Sequence, residues 1–514
     1  MTLLSVFLED TTALLVALPL LGAFSAPLVG KVSAKARNLW VIAIMALAEL
    51  AAVSLLVDVL GGNPHFYAVG ASDPALPSAA GFPFRIVLVA DAMSALVAAL
   101  AMTMALLSVI YSLRYESGNE GLEKYYSLVL LLAGAMMGLC LTGDFFTLFV
   151  FLEIASISSA GLIAFFSSAE SFEAAFKYMV VSASGALFLL FGVGMLYGQY
   201  GMLNMASIGD SMAAQATFVD LAALSLLVSA LLLKSGSVPV HMWKPDAYQE
   251  APPQVVVMLV SFALLSLYLI FRICFSVFGA MVFPAIGWTV AILGALSIFV
   301  GVVMAVPQRN LRRLIGYAAI AEIGYVMLGV GTSLLAMHDS TGVGMSSMHG
   351  GIFHMLNDAI DMGLLLLVVG AVTYATKRQE LDQVSGLAHR SGALAALFLI
   401  GVLSIAGLPP LNGFASKVII YESVFRINPM LSVIGILGSI MMLAVFVKIF
   451  ASVFLGAPYK GCFRKIPRSM LIPMVVLAVI MIFIGLFPGL VLERLVFPAA
   501  EALLNQEMYF GGVL

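Results

Sequence analysis

Long apolar runs separated by short polar loops dominate the chain from end to end. An α-helix needs about 20 apolar residues to cross the hydrocarbon core of a bilayer. Runs of that length can be laid out as about fourteen helices, which predicts an all-α, polytopic membrane protein. The predicted spans centre near Leu20, Ala48, Ala98, Leu132, Ile154, Phe188, Leu227, Ala263, Leu293, Met327, Leu366, Ile400, Met441 and Ile480.

Two of these runs are broken, and a lysine lies beside each break. Lys234 closes the apolar run of span 7, and Gly236 and Pro239 then interrupt the helix. In span 12 the break is Ile405–Gly413, and Lys417 follows it. A charge within a span is costly, and irregular backbone is tolerated there only where it lines a protein-enclosed or watery cavity. Two broken helices with lysines in corresponding halves therefore predict ion translocation.

The composition agrees with a membrane protein and excludes several other classes. Of the 514 residues, 62% are hydrophobic and 10% are charged, and the mean hydropathy is +1.10, a balance that soluble domains do not have. The net charge of -3 gives no sign of a nucleic-acid partner. Cys140, Cys274 and Cys462 are far apart and form no CxxC pair, so we expect no cofactor or metal site and interpret the first two as buried small hydrophobes.

The basic residues predict the orientation of the spans. Most of them follow odd-numbered spans, with Arg85 and Arg426 as isolated exceptions. Because cytoplasmic loops are rich in Lys and Arg, this pattern predicts a multi-pass protein of the cell membrane with both termini outside. The basic residues after odd-numbered spans are Lys31, Lys35, Arg37, Arg114, Lys124, Arg309, Arg312, Arg313, Lys377, Arg378, Arg390, Lys460, Arg464, Lys465 and Arg468.

Two segments fall outside this pattern of spans. The stretch from Gly61 to Pro83 is rich in Gly, Pro, Ala and Ser, and its length suits an external hairpin or an ordered loop. The tail after Arg494 mixes polar and apolar residues. We expect this tail to lie along the membrane surface.

Several motifs coincide with the spans and with both breaks. Together they resemble the antiporter-like subunits shared by respiratory complex I, the multisubunit Mrp cation/proton antiporters and the energy-converting membrane hydrogenases. The D-type Mrp subunit is most similar in length and span count, and the resemblance covers essentially the whole chain. The motifs are Gly143–Glu153, Ala174–Tyr178, Pro239–Pro253, Asn310–Tyr325, Phe353–Ala359 and Ala406–Lys417.

The resemblance implies an architecture and three principal residues. It implies two inverted five-helix repeats, spans 4–8 and 9–13, joined by a polar axis through the middle of the membrane. The corresponding division is an N-terminal three-helix segment (1–115), a first repeat (116–280), a second repeat (281–457) and a C-terminal helix with its tail (458–514). It further implies that Glu153 and Lys234 form an ion pair at one end of a proton path and that Lys417 is the terminal protonatable group at the other.

Each of these residues also has a simpler interpretation. Glu153 would be part of a purely structural ion pair, and Lys417 would be an amine that snorkels to the interface. Against this, intramembrane charges are expensive and usually functional, and weakening a Glu153–Lys234 pair would let Lys234 release a proton. His241 and His354 are relay candidates because a neutral imidazole can pass a proton between its nitrogens, although His241 is equally suited to hold the break.

The chain departs from the family pattern in the centre of the proposed path. The family usually has a lysine in span 8, where this chain has Leu264 and Leu265. In span 11 the usual histidine and lysine of Asn-His-Ala-x-x-Lys are replaced by Asp358 and Met362. Glu322 stands in span 10, where relatives often carry a neutral or imidazole side chain. The centre has therefore lost two cations and gained acids.

These departures leave three interpretations open. One is a rewired path through Glu322, His354, Asp358 and Asp361, which should cluster between Lys234 and Lys417, with waters beside span 8 held by its serines. Another is that the carboxylates also serve Na⁺, a hard cation that prefers oxygen ligands. The third is that the central link is broken.

Two functions from different classes follow from these interpretations. The first is a subunit that translocates H⁺, or Na⁺ with it, inside a larger membrane complex. The second is a non-conducting structural subunit of the same kind of complex. In both cases we expect other membrane subunits and the lipid bilayer as partners. The chain carries no recognisable redox active site, so any redox chemistry of an oxidoreductase or hydrogenase would belong to partner chains. The alternative parent complex is an Mrp antiporter.

Overall fold

The computed structural model describes residues 11–69, 86–212, 217–279, 284–337 and 340–513. Within these ranges, 13 helices are long and apolar enough to cross a membrane. Span 12 is divided into two shorter helices, which brings the total to the fourteen spans expected. Each predicted centre falls inside one of these helices, so hydropathy located the spans correctly.

The bounds of the spans are as follows. Spans 1–7 are Thr11–Val32, Ala34–Leu60, Ala92–Tyr115, Leu122–Leu141, Phe145–Ile163, Ala169–Tyr200 and Phe218–Ser235 (7a) with Trp243–Glu250 (7b). Spans 8–14 are Pro253–Val277, Pro284–Ala305, Leu311–Ala336, Val343–Thr376, Gly392–Ile405 (12a) with Asn412–Ile427 (12b), Pro429–Phe454 and Arg468–Leu486. The last turns of span 8, Arg272–Val277, form a π-helix.

Both predicted breaks are present, and a glycine begins each of them. Gly236 has φ +73° and Gly407 has φ +70°. This left-handed backbone conformation is energetically unfavourable for any residue that carries a Cβ. Glycine is therefore the residue that most often terminates a helix. Spans 7 and 12 are therefore broken helices, as expected from the sequence.

Loops that follow odd-numbered spans meet on one side of the bundle. Nη2 of Arg312, after span 9, donates to the hydroxyl of Tyr115 at the end of span 3, at 2.6 Å. The amide of Arg464, after span 13, donates to the carbonyl of Ala375 near the end of span 11, at 2.9 Å. The basic residues that follow odd-numbered spans therefore lie on the same side of the bundle. This agrees with the predicted number of spans and with the predicted placement of basic residues after odd-numbered spans.

The opposite side carries a small β-hairpin. Strand β1 (His65–Ala68) pairs antiparallel with β2 (Val87–Ala90). The amide of Gly143, which precedes span 5, donates to the carbonyl of Val87 at 2.8 Å. The hairpin thus lies against loops that follow even-numbered spans. Arg85 and residues 70–83 of the predicted loop lie outside the described residues.

The central spans are shielded by the outer ones. Spans 8, 10 and 11 are almost wholly buried, whereas spans 1, 2, 6, 13 and 14 expose many large apolar side chains. An exposed apolar belt of this size is typical of contact with lipid or with another membrane protein. Both Cys140 and Cys274 are buried, as predicted.

The C-terminal tail packs into the bundle instead of lying along its surface. Helices Phe497–Leu504 and Gln506–Gly511 follow span 14. Val496, Leu503 and Tyr509 are buried. The guanidinium carbon of Arg272 lies 5.3 Å from the centroid of the Tyr509 ring. The expectation of a surface tail was wrong, because the apolar positions of the tail face spans 3, 8 and 11. The division into two inverted repeats stays a prediction.

Candidate functional site

The first charged pair joins spans 5 and 7a. Nζ of Lys234 lies 3.7 Å from Oε2 of Glu153, which is ion-pair distance but beyond a hydrogen bond. The ammonium instead donates to the hydroxyls of Ser156 and Ser182, both at 2.6 Å. Lys234 is 1% exposed, whereas the side chain of Glu153 is 34% exposed. The predicted pair is therefore present and loose, and the Glu153 side chain is partly exposed although its Oε2 is buried.

The second pair joins spans 10 and 12b and is closed. Nζ of Lys417 donates to Oε1 of Glu322 at 3.0 Å and to the carbonyl of Ile405 at 2.6 Å. Both side chains are 2% exposed. The ring of Tyr325 lies 4.2 Å below the ammonium, a favourable cation–π distance. Snorkelling of Lys417 to an interface is thus the wrong interpretation, since its amine reaches back to the break.

His354 completes this cluster. Its Nε2 lies 3.2 Å from Oε2 of Glu322, and its Nδ1 lies 3.1 Å from the hydroxyl of Ser416 on span 12b. Glu322 therefore stands between an ammonium and an imidazole, each held by a different span. Such an arrangement can hold one proton in more than one place.

The polar side chains of span 11, His354, Asp358 and Asp361, are buried in the protein interior, because charged groups are too costly to face lipid. Asp361 accepts hydrogen bonds from Ser404 at 2.7 Å and from Asn412 at 2.9 Å. These two residues flank the break of span 12, so Asp361 fastens the two half-helices together. Asp358, one turn earlier, has a buried Oδ1 without a hydrogen-bond partner.

Sequence reasoning missed Lys244 on half-helix 7b. It is 1% exposed, and its Nζ donates to the carbonyl of Ser235 across the break at 3.0 Å. The available signal was its position five residues after Pro239, which parallels Lys417 seven residues after Pro410.

The remaining candidates are more peripheral. His241 lies in the break of span 7, and its Nδ1 is buried without a hydrogen-bond partner. Ser261 and Ser266 each donate to a carbonyl of their own helix at 3.2 Å. Ser261 borders a crevice of about 10 Å³ whose other walls are apolar, among them Leu264. These serines therefore do not extend the polar cluster in this structure.

Fold and site together define a class of protein. A polytopic helical bundle carries two broken helices, and each break holds a buried lysine opposite a carboxylate from another span. This is the architecture of an antiporter-like membrane subunit.

Comparison with known proteins identifies the family. The profile of the family "NADH:quinone oxidoreductase/Mrp antiporter, TM" matches residues 142–457, more than half of the chain. The chain belongs to this family. It is 30% identical over 509 residues to NADH-quinone oxidoreductase subunit N of Desulforudis audaxviator (strain MP104C), covering 94% of this chain and 97% of that one.

Solved structures extend the likeness to the whole bundle. A chain of the Mrp complex from Dietzia sp. DQ12-45-1b superposes with a TM-score of 0.87, at 26% identity and with 100% of both chains covered. A chain of the membrane-bound sulfane sulfur reductase, an archaeal respiratory membrane complex, also gives 0.87, at 27% identity, covering 98% of this chain and 100% of that one. The expected family is thereby confirmed, and the D-type Mrp subunit as its most similar member stays a prediction.

Proposed function

We propose that this subunit translocates protons along a polar axis that runs from Glu153 and Lys234 to Lys417. The observation that carries the proposal is the pair of buried lysines, each set at a helix break and facing a carboxylate from another span. Buried charges of this kind are expensive and mark ion paths in membrane proteins.

The two pairs differ in a way that suits transport. The Glu153–Lys234 pair is loose, since serines hold the ammonium at 2.6 Å while the carboxylate is 3.7 Å away. A change beside the partly exposed Glu153 would alter the electrostatic potential at the Lys234 ammonium. The Glu322–Lys417 pair is tight and buried. We therefore assign the switching step to the first pair and proton storage to the second.

We further propose that the subunit works in the cell membrane within a complex of other membrane subunits, with both termini outside. The similar structures belong to multisubunit membrane complexes, and the exposed apolar belt offers surface for neighbours. Exposed Cys462, after span 13, tests the orientation. A membrane-impermeant maleimide should label it in inside-out but not right-side-out vesicles, with buried Cys140 and Cys274 unlabelled in both.

The decisive test of transport is Glu153→Gln. The complex, purified with its native partners and reconstituted in vesicles, should lose at least about tenfold of its coupled proton movement while keeping its subunit composition. Glu493→Gln, which removes an exposed carboxylate beyond the end of span 14, is the matched control. Wild-type transport by Glu153→Gln in an assembled complex would contradict the proposal.

A second candidate, a non-conducting structural subunit, is favoured by one observation. Leu264 and Met362 occupy buried positions where the family usually has lysines. If Glu153→Gln and Lys234→Met both leave transport by the complex unchanged, this second function is correct. Running the same assay with imposed Na⁺ gradients tells whether Na⁺ moves with the proton.

A further inference from the structure

Glu49 is a further acidic side chain inside the membrane, and it lies away from both lysine pairs. It belongs to span 2, eleven residues before the end of that helix at Leu60, which is about 16 Å from that end in an α-helix. Span 2 packs mainly against spans 1 and 3, so Glu49 lies apart from the two broken helices. An ionisable group at this depth is expensive and needs a partner.

The carboxyl group of Glu49 has one polar neighbour. Its Oε1 lies 2.7 Å from the hydroxyl oxygen of Thr103 on span 3. Its Oε2 is buried without a hydrogen-bond partner, and no basic side chain within the described ranges forms a salt bridge with Glu49. An ionised carboxylate would therefore be held in the membrane by a single neutral donor and without a counter-charge. Burying a charge in this way costs far more than burying a neutral acid.

The hydroxyl group of Thr103 distinguishes the two forms of the acid. Its oxygen also lies 2.8 Å from the carbonyl oxygen of Ala99, one turn earlier in span 3. A hydroxyl carries one hydrogen, so it cannot donate fully to a carboxylate and to this carbonyl at the same time. If Glu49 is protonated, its O–H donates to Thr103, and the hydroxyl of Thr103 donates to the carbonyl of Ala99. Both short distances are then full hydrogen bonds.

The side chain of Glu49 is also reached from the lipid. It is partly exposed, and its neighbours on span 2, Leu47, Leu50 and Val53, are exposed apolar side chains. A lipid-soluble molecule can approach the acid through this surface, whereas a charged, water-soluble molecule has to cross the hydrocarbon to reach it. The carboxyl of Glu322 differs in both respects, because it is 2% exposed and paired with Lys417.

We propose that Glu49 is a protonated carboxylic acid that joins span 2 to span 3 inside the membrane and is a modification site for lipid-soluble carbodiimides. The acid proton moves to one nitrogen of the carbodiimide while the carboxyl oxygen bonds to its central carbon. The acyl group then shifts from oxygen to nitrogen, which gives an N-acylurea that contains the whole reagent. No group leaves. The site is independent of the proposed transport function, since Glu49 lies off the proposed path.

Labelling of the intact complex in its native membranes tests the site. After treatment with dicyclohexylcarbodiimide at neutral pH, the peptide that contains Glu49 should gain the mass of one intact reagent molecule. Glu49→Gln should lose this label completely. Glu120, exposed in the loop between spans 3 and 4, is the control. A charged, water-soluble carbodiimide with an added amine should couple that amine to Glu120 and leave Glu49 unmodified.

A second measurement detects the proton directly. Infrared spectra of the wild-type complex should contain a carboxylic-acid C=O band that is missing from Glu49→Gln. Glutamine keeps the shape of the neutral acid, and its amide can donate to Thr103. The variant should therefore have the melting temperature and the proton movement of the wild-type complex.

Each contrary result overturns a defined part of the proposal. An unlabelled Glu49 in the intact complex, or equal modification of Glu49 and Glu120 by the water-soluble reagent, would overturn access from the lipid. A missing acid band, or a higher melting temperature of Glu49→Gln, would reveal an ionised carboxylate and overturn the protonated state. Loss of proton movement in assembled Glu49→Gln would overturn its independence of the transport path. Labelling of the wild-type complex decides the matter if Glu49→Gln fails to assemble.

Discussion

Removing the carboxylate of Glu322 should be the most destabilising single loss of charge in the site. Its Oε1 lies 3.0 Å from Nζ of Lys417, and both side chains are 2% exposed. At an effective dielectric constant of about 20, unit charges at this distance attract by about 5.5 kcal/mol. Glu322→Gln leaves the ammonium buried without its counter-charge, for which the expected loss is about 3–5 kcal/mol of the free energy of unfolding.

The same reasoning predicts a smaller effect at the other pair. Glu153 and Lys234 are 3.7 Å apart and the carboxylate is 34% exposed, so solvent or a neighbour screens the lost charge. Glu153→Gln should therefore cost clearly less stability than Glu322→Gln, although both should stop transport. Glu422→Gln, which breaks an exposed pair with Arg426 one turn away, is the matched control and should cost about 0.5 kcal/mol or less.

The assay is denaturation of the purified complex in lipid nanodiscs, followed by the loss of helical signal and of subunit association. Lys417→Met added to Glu322→Gln removes the orphan charge and should recover at least about half of the lost stability, without recovery of transport. A double variant no more stable than Glu322→Gln, or equal losses for Glu322→Gln and Glu153→Gln, would refute the reasoning.

Three further outcomes follow from the structure. Asp358→Asn should impair transport in vesicles more than Asp361→Asn, because the carboxylate of Asp361 already accepts hydrogen bonds from Ser404 and Asn412 at the break. A larger loss of transport in Asp361→Asn would instead place the proton path through Asp361. Burial raises the pKa of Glu116, just beyond the end of span 3, from 4.5 to about 7, so its ionisation should lower stability progressively between pH 4.5 and 7, by about 3 kcal/mol in total. Melting curves of Glu116→Gln should lack this loss, and parallel pH profiles for both proteins would contradict it. Arg272→Met should destabilise the complex by about 3–5 kcal/mol, because the buried carboxylate of Asp91 then loses its bidentate ion pair with the Arg272 guanidinium. A change below about 1 kcal/mol in the same denaturation assay would show that this ion pair contributes little.

Local pattern was enough to predict the spans and their breaks. Hydropathy is a property of consecutive residues, and a bilayer sets a minimum length for each apolar run, so all fourteen predicted centres fall inside helices. Gly236 and Gly407 marked the breaks because only glycine adopts their backbone angles cheaply. The cost of a charge in an apolar run likewise singled out Glu153, Lys234 and Glu322 before any contact was known.

Tertiary structure alone decided which of these charges meet. Glu322 was expected in a central cluster, and only the packing of spans 10 and 12b set its carboxylate against Lys417. In the sequence Lys244 was one unremarked residue of the Pro239–Pro253 motif, and only the folded break brings its amine back onto span 7a. The reason is geometric: periodicity tells how residues of one helix are arranged, whereas pairing across spans depends on helix rotation and depth, which arise from packing between distant parts of the chain.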